Sequence, residues 1–391
     1  MISKNKFVVS ECVSKGHPDK IADQIADAIL DAYLEKDKKV RAGIEVMIKD
    51  NVVVLGGEIS SNATINYDGV VRGVFKDLDF PENHHLSYND IKIINLIGQQ
   101  SQEIHNGVDI DDDVIGAGDQ GFMVGYASDE TPTLMPLGHY IAKKICDYVS
   151  AYPELGPDTK TQVIIECGFE EVKIHSILVS TMHQYSLEHT RQRVEDIIKN
   201  NWMGIEDVIF NNLFKDKDIK IDINPCGSWR IGGPVSDCGV TGRKLVVDSY
   251  GGYCNIGGGN FSGKDMSKVD RSAAYMARYL AKNIVASGWC NRAKVTLSYM
   301  IGVPEPCSIE IETNTYNSPE ELNILKEWIY KNVDLTPKGI IERFEGTKPQ
   351  FRYTSELGHF GIDETIPSSN FGWKWEKIDI AEEINKLFIG A

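Results

Sequence analysis

Three stretches of the chain run through one order of pattern. In VRAGIEVMIKDNVVVLGGEIS, Val40, Ala42, Ile44, Val46 and Ile48 fall at every second position, Asp50-Asn51 interrupts, and a second apolar run follows from Val52 to Ile59. A helical pattern comes next, near Val70 to Asp77. TQVIIECGFEEVKIHSILVSTMH repeats strand, turn and strand, then places Leu187, Arg191, Val194 and Ile198 at helical spacing. AKVTLSYMIGVPEPCSIEIET does so again, and its helix opens on Ser318-Pro319-Glu320-Glu321, a capping box with proline at the first helical position. A strand pair with one apolar face needs a covering layer, so the pattern predicts an α+β fold of three related units, each laying helices on one face of a mixed or antiparallel sheet. Breaks fall around QQSQEIHNGVDIDDD and near NPCGSWRIGGP, which divides the chain into 1–101, 112–230 and 231–391, with 102–111 as a connecting loop.

The formal net charge of -16 argues against nucleic acid and anionic membrane surfaces as partners, because both need a basic face. Any phosphate ligand must therefore be met by a local cluster of cations. The eight cysteines form no C-x-x-C pair and have no histidine at zinc-ligand spacing, as expected of reduced thiols in the cytoplasm. The first residues lack the apolar stretch of a secretory signal, and no apolar run reaches the ~18 residues of a membrane span.

Charged residues recur beside glycines and helix starts. GHPDKIADQIADAILDAYLEK predicts a loop entering a helix at Pro18, with Ile21, Ile25, Ile29 and Tyr33 as a buried stripe; His17, Asp19 and Lys20 then crowd the positive end of the helix. Glu45 sits on the strand face opposite Ala42, Ile44, Val46 and Ile48, and Glu58 follows two glycines. Four glycines surround Asp119 in IGAGDQGFMVGY, and Asp158 and Lys160 stand at the mouth of a strand. The densest cluster gathers Asp237, Arg243, Lys244, Lys264, Lys268 and Asp270 among many glycines, a composition suited to a polyphosphate and Mg²⁺.

One stretch of that cluster, NIGGGNFSGKDMSKVDRSAAY, fits G-x-x-x-x-G-K through Gly258, Gly263 and Lys264. A P-loop requires Ser or Thr next, to hold Mg²⁺, and this chain has Asp265, whose charge must turn away from any phosphate. The match is coincidental in mechanism.

GHPDKIADQIADAILD, GAGDQG, TGRKLVVDSYGG and GGGNFSGKDMSKVDRSAAYMARYLAKNIVASG together resemble the signatures of the S-adenosylmethionine synthetase (methionine adenosyltransferase) family, and the likeness runs from about Phe7 to His359. The resemblance implies a three-domain fold with pseudo-threefold repetition and an enzyme that joins ATP and L-methionine. Its products would be S-adenosylmethionine and tripolyphosphate, the latter cleaved to phosphate and pyrophosphate. It also implies Mg²⁺, two ions per site, and K⁺ as cofactors. The implied assembly is a homodimer, alone or paired into a tetramer, with active sites between subunits.

Carried over by similarity, His17, Lys160, Arg243 and Lys264 would be catalytic. The ATP side would comprise His17, Asp158, Lys160, Ser228, Trp229, Asp237, Arg243, Lys244, Asn260 and Lys264. Glu58, Gln100, Asp119, Asp237, Lys268 and Ile301 would face methionine; Asp19 and Asp270 would hold Mg²⁺, and Glu45 would hold K⁺. A neutral thioether has no proton to remove, so attack on ribose C5′ needs no general base. Catalysis then rests on positioning and on stabilising a highly charged leaving group.

The chain departs from the family pattern in three places. QSQEIHNGVD stands for the gating loop, with Gln102 for proline and Glu103, His105 and Asn106 for the usual acid, Asn and Gln, which frees the backbone and raises the entropy lost on closure. In NPCGSWRIGGP, Ser228 replaces a cation, Trp229 replaces Phe and Arg230 lies two positions later; Asn260 replaces a small alanine, which would bring its amide near the nucleotide. Asn260, Ser228 and Trp229 motivate one alternative, a paralogue with altered nucleotide or methionine-analogue preference; a different class of alternative is a regulatory module that binds nucleotide without turnover.

Overall fold

The alternating apolar residues of the first unit form the expected hairpin, β2 (Arg41–Lys49) and β3 (Val52–Ser60), paired from Arg41 opposite Ser60 to Lys49 opposite Val52. Asp50 turns it at φ 52°, a left-handed conformation that Asp and Asn tolerate best after glycine. Ala42, Ile44, Val46 and Ile48 are buried and Glu45 is exposed on the opposite face, as the two-residue period requires. The molecule is a computed structural model that describes residues 6–81, 86–99, 114–168, 172–200, 213–214, 219–314, 317–344, 351–362 and 373–388. The loop 102–111 and Gln100 lie outside the described residues.

In chain order, β1 (Lys6–Val13) and α1 (Pro18–Leu34) precede the hairpin, and α2 (Tyr67–Leu78), β4 (Lys92–Asn95) and β5 (Gly98–Gln99) follow it. The second unit contains β6 (Gly121–Ser128), α3 (Leu137–Ser150), the hairpin β7 (Thr159–Cys167) and β8 (Val172–Thr181), α4 (Leu187–Asn200) and β9 (Lys220–Ile223). The third contains β10 (Gly239–Val240), α5 (Val269–Ala286), the hairpin β11 (Arg292–Tyr299) and β12 (Ser308–Thr313), and α6 (Pro319–Asn332). Ser318 caps α6 with both hydrogen bonds of the capping box, and Pro18 begins α1.

Each hairpin anchors one sheet, in the orders β10-β2-β3-β4 with β5 also on β3, β1-β7-β8-β9, and β12-β11-β6. Every sheet thus takes a strand from another unit. β1 of the first unit pairs antiparallel with β7, β6 of the second with β11, and β10 of the third with β2. This cyclic exchange turns three sequence-local units into one interlocked body, because no unit completes its sheet alone.

Helices cover one face of each sheet. α1 and α2 close the core around Ile21, Ile25, Ile29, Ile44 and Val53; α3 and α4 close that around Ile141, Val163, Ile177 and Val194; α5 lies across β6 and β11. α5 is buried from Val269 through Val285, and its Arg271 and Arg278 are fully enclosed. The uncovered faces carry large apolar side chains, among them Phe7, Val9, Met47 and Phe122.

Candidate active site

The N-terminus of α1 sits where all three units meet. Ser14 N–H donates to Thr159 O at 2.9 Å and Gly16 N–H to Pro157 O at 3.1 Å, which ties the loop before the helix to the start of β7. His17 is the N-cap, and its Nδ1 accepts the Asp19 N–H at 3.1 Å. In the neutral ring the proton therefore resides on Nε2. Burial, then the positive charge of Lys244, lowers the His17 pKa from 6.5 to about 4 against the pull of Asp19, so the ring is neutral at pH 7.

Asp19 is buried and accepts from Val240 N–H at 2.9 Å and from Lys244 Nζ at 2.5 Å, with Arg243 at 3.7 Å. Burial works to raise its pKa, but the hydrogen bonds from Lys244 and Val240 and the nearby charges overcome this and hold it below the usual value. Lys160 and Asp237 are close enough to act on the His17 charge. Lys160 pairs with Glu11 at 3.0 Å. Asp158 is buried and accepts the Gly233 N–H at 2.6 Å, while its other oxygen has no protein partner. Burial pushes its pKa up to about 7.

Ser228 and Trp229 adjoin this corner through Gly232, where a Cβ would lie 2.9 Å from Asp158 Cβ. His183 Nε2 accepts the Trp229 N–H at 3.1 Å and lies 3.2 Å from Ser228 Oγ. The Trp229 indole donates to Ile231 O at 2.8 Å. Arg230 donates to Gln184 O and Tyr185 O at 2.7 and 3.1 Å, so it holds this loop in place.

A second set gathers around the start of α5. Lys264 Nζ donates to Asp270 Oδ2 at 2.5 Å, and the Lys264 backbone bridges Gly43 at the edge of the first hairpin. Glu58 lies opposite Gly43 in the sheet, and both Glu58 and Glu45 are exposed. Asn260 closes on its own loop, donating to Ser262 O at 2.9 Å and accepting Ser262 N–H at 3.2 Å. Asp265 turns inward as its position beside Lys264 demands, accepting Ala42 N–H at 2.8 Å and Ser267 N–H at 2.9 Å. A Cβ on Gly118 would lie 3.2 Å from Lys268 Cδ, which puts Asp119 next to Lys268. Gly302 N–H donates to Ala117 O at 2.8 Å, which sets exposed Ile301 beside the same loop.

The three units of sequence match the S-adenosylmethionine synthetase N-terminal domain over residues 5–102, its central domain over 114–229 and its C-terminal domain over 231–377. The chain belongs to the S-adenosylmethionine synthetase family. S-adenosylmethionine synthases of Wolinella succinogenes and of Helicobacter pylori are 41% and 42% identical to it, each over 98% of this chain and 99% of theirs. A solved structure described as an unusual S-adenosylmethionine synthetase from Campylobacter jejuni superposes with a TM-score of 0.85 at 36% identity, covering 97% of this chain and 99% of that one. The chain is accordingly a methionine adenosyltransferase, acting on ATP and L-methionine, and the alternatives of altered specificity or binding without turnover are not favoured.

One organising feature of this synthetase escaped the residue-by-residue reading. Asp19, Asp23, Asp27 and Asp31 recur every fourth residue of α1, so they share one helix face. Each accepts a backbone N–H from the third unit: Val240 at 2.9 Å, Gly242 at 3.0 Å, Gly263 at 2.8 Å, and Phe351 and Arg352 at 2.8 and 3.0 Å. The D-x-x-x-D spacing was the available signal. It reads as a solvated helix face until the backbone donors that cover it are known.

Proposed function

We propose that the corner around His17 receives the leaving tripolyphosphate while the methionine sulfur attacks ribose C5′. The observation that carries this reading is the His17 tautomer: Nδ1 is taken by the Asp19 N–H, which reserves Nε2–H of a neutral ring as a donor to the departing oxygen. Arg243, Lys244 and Lys160 supply positive charge beside it, and Lys264 of a second copy of the chain adds a further cation; charge-assisted hydrogen bonds from such groups strengthen as the leaving oxygens gain charge. Asp158, Ser228, Trp229, Asp237 and Asn260 are assigned to the nucleotide, with Trp229 offering an aromatic face for adenine. Glu58, Gln100, Asp119, Lys268 and Ile301 are assigned with Asp237 to methionine, and the Asp119 carboxylate is assigned to the sulfonium that forms.

The donor chemistry fits Mg²⁺ at Asp19 and Asp270. Both offer hard carboxylate oxygens, and each already faces a lysine ammonium, at 2.5 Å in both cases. Among the described residues no group of three or more His, Cys, Asp or Glu surrounds one metal position, so phosphate and water would complete the coordination. Mg²⁺, when bound, neutralises polyphosphate oxygens. Glu45 offers exposed carboxylate oxygens for K⁺ on the uncovered face of β2.

The His17 set and the Lys264 set are proposed to belong to two different active sites of a homodimer, each site drawing one set from each chain. The exposed Phe7, Val9, Met47 and Phe122 on uncovered sheet faces support burial against a second copy. Domains at 1–101, 112–230 and 231–391 are proposed as units of sequence, since their sheets exchange strands. The cytosol is the proposed compartment: all eight cysteines are free, and no helix among the described residues is long and apolar enough to cross a membrane.

His17→Ala tests the assignment. Single-turnover formation of S-adenosylmethionine, identified by mass, should slow about 10²-fold or more, while unfolding stability falls only by the roughly 1 kcal/mol of a lost helix cap. Formation at the parental rate would remove His17 from the mechanism.

A further inference from the structure

Two loops of the third unit present cations assigned to the polyphosphate, one loop to each of the two sites that the chain shares with its partner, and they are built alike. In TGRK, Gly242 has φ +72° and precedes Arg243 and Lys244; in SGK, Gly263 has φ +80° and precedes Lys264. Neither glycine tolerates a side chain: a Cβ would meet Asn260 Cγ at 2.8 Å in the first case and Ile44 O at 2.2 Å in the second. Each glycine N–H is donated to a buried carboxylate of α1, Gly242 to Asp23 Oδ1 at 3.0 Å and Gly263 to Asp27 Oδ1 at 2.8 Å. The two acceptors lie one helical turn apart, a rise of about 6 Å.

The remaining contacts lock both carboxylates in place. Asp23 Oδ2 accepts from Lys20 Nζ at 3.2 Å, and that ammonium also donates to Asp248 at 2.7 Å. Asp27 takes two hydrogen bonds from Arg271, at 2.6 and 3.0 Å, and one from Ser355 Oγ at 2.6 Å. Arg271 returns to the second loop by donating to Lys264 O at 3.1 Å. A rigid helix carrying two anchored acceptors can therefore fix the spacing of two otherwise glycine-rich loops.

We propose that Asp23 and Asp27 are positioning residues, which act through Gly242 and Gly263 to hold Arg243, Lys244 and Lys264 at set places on α1. The inference rests on the assignment of those cations to the polyphosphate. Misplacing a catalytic group by about 1 Å can cost 10²-fold in rate. Asp23 is the better residue to test, because Asp27 also neutralises a fully buried arginine, whereas loss of Asp23 leaves Lys20 paired with Asp248.

The experiment compares Asp23→Ala, Asp23→Asn, Lys244→Ala and the double variant Asp23→Ala/Lys244→Ala in the full-length protein with ATP, methionine, Mg²⁺ and K⁺. Asp23→Ala should lower kcat about 30-fold or more and leave KM for methionine within about twofold. Asp23→Asn keeps an oxygen for the Gly242 N–H and should restore kcat to within about threefold of the parent. The double variant should lose less than the product of the two single fold-losses, since Asp23 acts through the loop that carries Lys244, the remaining loss coming from Arg243. Parental kcat in Asp23→Ala with a disabled Lys244→Ala, or fold-losses that multiply in the double variant, would overturn the positioning role alone. Parental kcat in Lys244→Ala would instead overturn the site assignment. Should Asp23→Ala not fold, Gly242→Ala keeps the carboxylate and displaces the loop; the same kcat loss is expected, and parental kcat would overturn the proposal.

Discussion

Two kinds of acid–base pair fasten the third unit, within itself and to the first, and they differ in one physical respect. Arg271–Asp27 and Arg278–Glu376 are closed off, with every partner 0% exposed, and each arginine makes a two-pronged contact with its carboxylate. Lys244–Asp19 and Lys264–Asp270 are single contacts whose lysines remain 18% and 20% exposed. Arginine's planar fork suits a fixed, satisfied site; an ammonium on a flexible stem at the edge of solvent can exchange its partner. The same charges thus build the scaffold where they are sealed, and remain available to a ligand where they are not.

Breaking a sealed pair should have the largest effect. Asp27→Ala strands the Arg271 charge in the core and removes the acceptor of the Gly263 N–H, which should lower unfolding stability by about 3–5 kcal/mol in chemical denaturation. A loss below about 1 kcal/mol would show that the sealed pair is not structural. Lys264→Ala should do the reverse. Its pair is partly exposed, so stability should change by no more than about 1 kcal/mol, while kcat falls about 10²–10³-fold. Equal kcat in variant and parent would erase the distinction between the two kinds of pair.

A smaller effect concerns Asp31, the last rung on α1, which accepts the Phe351 and Arg352 N–H groups. Burial of its carboxyl raises its pKa from 3.8 to about 7. The folded state then binds the proton more tightly than the unfolded chain. The stabilisation is complete below the unfolded value of 3.8 and is lost as pH rises through about 7. Asp31→Asn lacks this slope, so its stability relative to the parent should improve between pH 5 and 7 and level off above. A constant difference across that range would mean that Asp31 does not titrate with folding.

The hairpins, their connecting turns and the helix starts at Pro18 and Ser318 were legible because each is specified within a few residues by period, cap or turn chemistry. The strand exchange was not. β1, β6 and β10 pair with strands far away in sequence, and an edge strand's local pattern does not name its partner. The site divided in the same way: His17, Asp19 and Lys264 stood out beside helix starts and glycines, whereas Asp23 and Asp27 are defined by backbone donors more than 200 residues away, at separations of 219 and 236. His183 likewise acquires its role only by meeting Trp229 across a separation of 46 residues.

On the proposed assembly, one chain carries two incomplete sets that a second copy completes. Co-expression of His17→Ala and Lys264→Ala chains tests it directly, read as S-adenosylmethionine formed per chain. In a mixed dimer one site inherits both lesions and the other inherits neither, so random pairing should recover about a quarter of parental activity from two inactive variants. If His17 and Lys264 serve the same site from the same chain, every site keeps one lesion, and the absence of any recovery would contradict a site shared between subunits.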